Sequence, residues 1–191
     1  MARASKPTPS SGIEGRLKKA GTSWEKALWA KSDPEEKKRP PDDKVNSKLK
    51  RAVYKIVRDC IKADLVHVLK ESVEFQFGDK SQVKPSPSNA ENPFYWGLTA
   101  VCGTDEKLAR SNKSRFSQEL IYAHLHDVPP ELLIGFIYQI GSSDDIGRRL
   151  KDGEFESWRG NLPAAVTAKK PTCVKDPLAP VSKASQADLE L

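Results

Sequence analysis

The chain alternates between stretches with a clear apolar period and stretches with none. The clearest period lies at 44–62, KVNSKLKRAVYKIVRDCIK. Leu49, Val53, Ile56, Val57 and Cys60 share one face when successive residues turn by about 100°. Lys44, Lys48, Arg51, Lys55, Arg58 and Lys62 share the opposite face, at steps of four, three, four, three and four. This is the pattern of an amphipathic helix with a cationic polar face. Asp42 or Asp43 precedes it as a capping residue. The phase drifts after Asp64, which predicts an end or kink there. VEFQF at 73–77 alternates Val73, Phe75 and Phe77 with polar residues and reads as a short strand.

Prolines, serines and asparagines mark 80–92 as a loop. Asn92-Pro93 then pairs a capping residue with a proline suited to a first turn. FYWGLTAVCG is therefore expected to be a short buried helix ending at Gly103. A strand is the competing reading, because Phe, Tyr, Trp, Thr and Val all favour one. Thr104-Asp105-Glu106 opens a further helical turn. SRFSQELIYAHL at 114–125 is amphipathic through Phe116, Leu120 and Ile121. Pro129-Pro130-Glu131 starts an apolar helix running to Ile140, and Gly141 stops it. Ser143-Asp144-Asp145 caps a last helix to about Lys151. The expected fold is mainly α: a single helical domain at 43–160 with at most a minor β element near 73–77.

The flanks read differently. Residues 1–42 are expected to form a disordered basic arm. Within them, 1–21 are rich in Ser, Pro, Gly and Lys and show no apolar period. A short amphipathic helix near 22–31 interrupts the arm, with Thr22 or Ser23 as cap and Trp24 and Leu28 four apart. Trp24, Leu28 and Trp29 need a cover, either the domain or a partner, and are candidate partner-binding residues. SDPEEKKRPPDD at 32–43 reads as a linker. Residues 161–191 are rich in Ala, Pro, Lys and Ser and read as a flexible tail.

Charge changes this picture because it is uneven. The net charge is +6. Residues 1–51 carry 14 Lys and Arg against 7 Asp and Glu, whereas 52–160 carry 14 against 16. A basic arm on a near-neutral domain points to phosphates or an acidic surface as a partner. Arg16, Lys18 and Lys19 in the arm join the cations of the 44–62 helix as candidate nucleic-acid contacts. Tyr54, beside them, is a candidate for stacking on a base. Such a row spans about 27 Å of helix and can follow a phosphate backbone, gaining by counterion release. The bland alternative is a solvated face, since Asp59 interrupts the row.

The remaining chemistry is thin. Cys60, Cys102 and Cys173 are widely spaced and form no CxxC, which favours a reducing compartment, cytoplasm or nucleus. No signal peptide is read at the N-terminus, and LLIGFIYQI at 132–140 is far short of the roughly 20 residues that span a bilayer. His124 and His126 form an H-x-H, but on a helix their rings point about 200° apart, so no metal site is expected. Asp144, Asp145, Arg148 and Arg149 are explained by capping and pairing across one turn. GxGxxG, P-loop and GxSxG motifs are absent, and no cofactor is expected.

These features favour a non-catalytic protein that contacts RNA or DNA through a basic arm and a basic helix face. The alternative is a small structural protein of viral matrix or capsid-associated type, self-associating and touching RNA or an anionic membrane surface. A metal-dependent hydrolase or nuclease using acidic residues is the third reading.

Overall fold

In the structure, a computed structural model that describes residues 9–30, 34–78 and 85–155, every regular element is helical. Eight α-helices are seen among these residues: α1 (Pro9–Ala30), α2 (Glu35–Lys38), α3 (Val45–Lys62), α4 (Val66–Phe77), α5 (Pro93–Cys102), α6 (Arg110–Leu125), α7 (Leu133–Ile140) and α8 (Ser143–Asp152). Single 3-10 turns at Pro41–Asp43 and Pro87–Asn89 complete the set. The mainly α fold expected from the sequence is the one observed. The expected tail at 161–191 and residues 1–8 of the expected arm lie outside the described residues.

α3 is central. Its apolar face packs on α1 and α5, and its flanks reach α4, α6 and α7. Leu49, Val53, Ile56, Val57 and Cys60 are all buried, as the period required. α5 lies so close to α3 that a Cβ at Gly97 would overlap Val57 and crowd Val53. The Phe94 and Tyr54 rings stack across the same seam, with centroids 5.6 Å apart. α5 begins as its sequence dictates: the Asn92 side chain accepts a hydrogen bond from Phe94 N at 3.0 Å. The Asn92 amide then donates to Ser117 O, tying the start of α5 to α6.

Two helices end in the same way, and neither uses glycine. At the end of α3, Leu65 N donates to Cys60 O and Asp64 N to Ile61 O. At the end of α6, Val128 N donates to Ala123 O and Asp127 N to His124 O. In both, the aspartate takes a positive φ (55° and 51°), and an apolar residue follows it into the domain. Aspartate tolerates this left-handed turn better than most residues. α8 ends on Gly153 in the same conformation and begins on Ser142, whose hydroxyl accepts from Asp145 N.

Three expectations need correction. The strand at 73–77 is the last part of α4. Leu69, Val73 and Phe77, four residues apart, turn toward the core, and Phe75 is left 94% exposed. A lone strand leaves its backbone groups unpaired, whereas a helix satisfies them within itself. The arm is not disordered from Pro9 onward. α1 buries Ile13, Leu17 and Trp24 against the domain, at a helical spacing diluted by Gly12, Gly15, Ala20 and Gly21. Tertiary contact outweighs the weak local propensity of this segment. Gly21 is needed there, since a Cβ would sit 2.9 Å from Val101 O of α5. The linker is also packed. Glu36 of α2 is buried and accepts from Val45 N at 2.7 Å, so α3 is capped from outside its own sequence, not by Asp42 or Asp43. The helical domain therefore starts in α1, well before residue 43.

A buried ionic network links α3, α6 and α8. Lys50 Nζ lies 2.5 Å from Glu119, with the two side chains only 14% and 4% exposed. Ser143 donates its hydroxyl proton to the same carboxylate. Lys113, fully buried, donates to Gly103 O (2.6 Å) and Asp105 (2.8 Å), fastening the loop between α5 and α6.

Candidate nucleic-acid interface

The cationic face of α3 divides into two parts. Lys48, Lys55 and Lys62 stand exposed, seven residues apart. They form a ridge about 21 Å long. Lys55 and Lys62 form no ion pair with any described residue, and Lys48 is only loosely near Asp43 at 3.6 Å. Lys44 is half-buried at the N-cap of the same helix.

The arginines of that face do other work. Arg51 donates to Asp42 at 2.6 Å, which holds the turn before α3. Arg58 is 12% exposed in its side chain, donates to Val128 O at 2.6 Å, and pairs with the Asp127 carboxylate. It thereby clamps the left-handed turn that ends α6. A guanidinium suits this task because its fork offers several fixed donors at once.

Tyr54 is buried, so its expected role in base stacking is corrected. Its hydroxyl donates to Val128 O at 2.8 Å, and its ring lies between Phe94 and the Arg58 guanidinium. Burial pushes its pKa up to about 12, against a smaller opposing effect of Arg58. The residue sits toward the flank of the apolar face, a position that the helical period alone leaves ambiguous.

α1 brings one further cation to α3, and two more stand elsewhere on it, Lys18 in a cleft toward α4 and α5. Arg16 reaches across to Asp59 at 2.7 Å, between Lys55 and Lys62. Lys19 follows it by about one turn of α1, and Lys18 is also exposed. Of the candidate partner residues on α1, Trp24 is covered by the domain and Leu28 packs partly against it. Trp29 is 88% exposed.

The other groups singled out in the sequence have structural places. The His124 ring packs on Phe94, and the His126 ring packs on Tyr122. Burial, aided by Arg58, lowers the His124 pKa from its ordinary value. Cys60 and Cys102 are buried free thiols, and burial pushes the Cys102 pKa up to about 12. Such a thiol is a poor nucleophile. Ser142 N-caps α8 by accepting from Asp145 N, and its hydroxyl donates to the Asp145 carboxylate, which lowers the Asp145 pKa. Arg148 pairs with Glu154.

Sequence reasoning missed the acids. Asp42, Asp43, Asp59 and Asp127 each meet a cation of this surface. Asp127 is 69 residues from Arg58 in sequence, so only the fold brings them together. No family model matches the chain, and no curated protein or solved structure matches it either. No helix among the described residues is long and apolar enough to cross a membrane.

Proposed function

We propose that this protein binds nucleic acid without catalysis, holding phosphates on the lysine ridge of α3, with Lys18 and Lys19 of α1 as further exposed cations. The observation that carries this reading is the exposure of Lys48, Lys55 and Lys62 in line, two of them without an ion pair to any described residue. Lysines held this way gain by releasing condensed counterions from a phosphate backbone. Arg51, Tyr54 and Arg58 serve the fold and drop out of the contact set. The binding is expected to read charge more than sequence, because ammonium groups set on phosphates carry no sequence information directly. Anisotropy of a labelled 20-nucleotide RNA and a 20-base-pair DNA, titrated across salt, tests it. The parent should bind at low salt, and K48Q/K55Q/K62Q should bind more weakly. Equal affinity of the two proteins for both probes at low salt would remove the proposal.

A second reading has its own observation. Trp29 and Phe75 expose large apolar surfaces, which suits a protein that self-associates in an assembly. Sedimentation of the parent and of W29S/F75S, without nucleic acid, separates the two: a concentration-dependent oligomer that the double variant no longer forms favours assembly.

A further inference from the structure

A cleft of about 590 Å³ opens between α2, the start of α3, α6 and α7. Its size is that of small-ligand sites, which lie roughly between 300 and 1,000 Å³. It has an apolar wall and a cationic wall. Phe116, Ile134 and Ile137 form the first, with the 58% exposed Tyr138 ring at its edge. Lys37, Lys44 and Arg115 supply the second.

The hydrogen-bonding groups in this cleft are unbalanced. Both lining carboxylates are committed. Glu36 accepts from Val45 N and pairs with Arg39 at 3.2 Å. Glu119 takes Lys50 on one oxygen and the Ser143 hydroxyl on the other. Lys37, Lys44 and Arg115 have no acidic partner among the described residues. The lining thus offers cationic donors and no free anionic acceptor.

Together these groups describe the occupant: a small anion that carries a planar ring. We infer that the cleft binds a nucleoside monophosphate, with the phosphate against Lys37, Lys44 and Arg115 and the base along Tyr138. The site does not depend on the lysine ridge.

Isothermal titration of the full chain with AMP, adenosine and inorganic phosphate tests this inference. AMP should bind saturably at one site, and adenosine and phosphate should each bind at least about tenfold more weakly, since each lacks one half of the match. Arg115→Gln and Tyr138→Ala change side chains at the cleft mouth and should leave the melting temperature near that of the parent. Each should weaken AMP by about tenfold or more. K48Q/K55Q/K62Q should bind AMP like the parent, so failure of the ridge and failure of the cleft are separable. Absence of saturable AMP binding would overturn the inference. So would AMP binding that Arg115→Gln and Tyr138→Ala both leave unchanged.

Discussion

The outer ridge of α3 and its flank against the end of α6 carry the same kind of charge and do opposite things with it. On the ridge, Lys48, Lys55 and Lys62 extend into solvent. On the flank, Arg58 is withdrawn from water and bonded to Asp127 and Val128 O. The two sets are only about 40–80° apart around one helix. What separates them is the neighbouring chain: the turn at Asp127 and Val128 covers the flank and leaves the ridge open. The side chains match their places, because a guanidinium tolerates partial burial in a forked hydrogen bond and an ammonium keeps its hydration. A row of cations in a sequence is therefore not one object. Its lysines are candidates for a partner, and its arginines are candidates for the fold.

The sharpest way to break this division is to remove what supports the flank. Phe94→Ala deletes the ring that stacks on Tyr54 and should cost roughly 3–5 kcal/mol, read by thermal or urea unfolding. That is a large part of a typical domain stability. A melting temperature close to the parent's would mean that the Tyr54–Phe94 seam does not support the flank. Arg58→Ala comes next. It removes charge-assisted bonds in a partly buried place and should cost about 1.5–3 kcal/mol. Arg58→Lys should recover only part of that, because one ammonium cannot reproduce both bonds. Neither change should alter the salt dependence of oligonucleotide binding by the folded protein. A reduced salt slope in Arg58→Ala would place Arg58 on the ridge after all.

How far these placements could be read from the sequence depends on the region. The helix at 44–62 was legible because β-branched and leucine side chains mark its buried face densely. The start of α5 was legible because Asn92 before Pro93 can cap in only a few ways, whereas α8 is capped by Ser142, one residue before the Ser143 read as its cap. α1 was not, because its buried positions are few and the residues between them are glycine and alanine. Those small residues let α1 approach α5 at Gly21, a reason that exists only in three dimensions. Phe75 misled in the other direction, since its alternation with Val73 and Phe77 suggests a strand while helical spacing places the other two correctly. On the candidate interface, the cations were legible and their acids were not. Asp59 lies within the row, but its partner Arg16 is 43 residues away. Tyr54 could not be assigned without knowing that Val128 O waits on the flank.

Smaller effects refine the flank further. Tyr54→Phe keeps the ring and removes its bond to Val128 O, for a loss of about 1 kcal/mol. It should also change the alkaline limb of stability. The folded pKa of Tyr54, raised to about 12 from 10, means that the folded state holds its proton more tightly. Its contribution is complete below about pH 10 and fades as the pH rises toward 12. Tyr54→Phe should remove that part of the decline, although Cys102, also raised to about 12, leaves a share of its own. A decline identical in parent and variant would mean that the Tyr54 hydroxyl is not held on Val128 O.

The smallest expected effect is at His124. Burial lowers its pKa, so the unfolded chain binds the proton more readily than the folded one. Stability should therefore be complete above the unfolded value, about 6.5, and fall as the solution is acidified below it. His124→Gln should flatten this part of the pH profile, measured as urea midpoints between about pH 7 and 5. A profile unchanged by the substitution would show that the ring is as accessible as in the unfolded chain.

The central claim is that the ridge holds phosphates and the flank holds the fold. It is tested most directly by the salt slope of oligonucleotide binding, measured on the parent and on K48Q/K55Q/K62Q. Every phosphate that a lysine no longer neutralises lowers the slope by about 0.9 on duplex DNA and about 0.7 on a single strand. The triple variant should therefore bind with a slope shallower by about 2–3 units on duplex DNA and about 2 on RNA. Its melting temperature should stay near the parent's, because exposed substitutions usually change stability by no more than about 0.5 kcal/mol. A slope that is the same in both proteins, with both folded, would contradict the account and leave the ridge an ordinary solvated face.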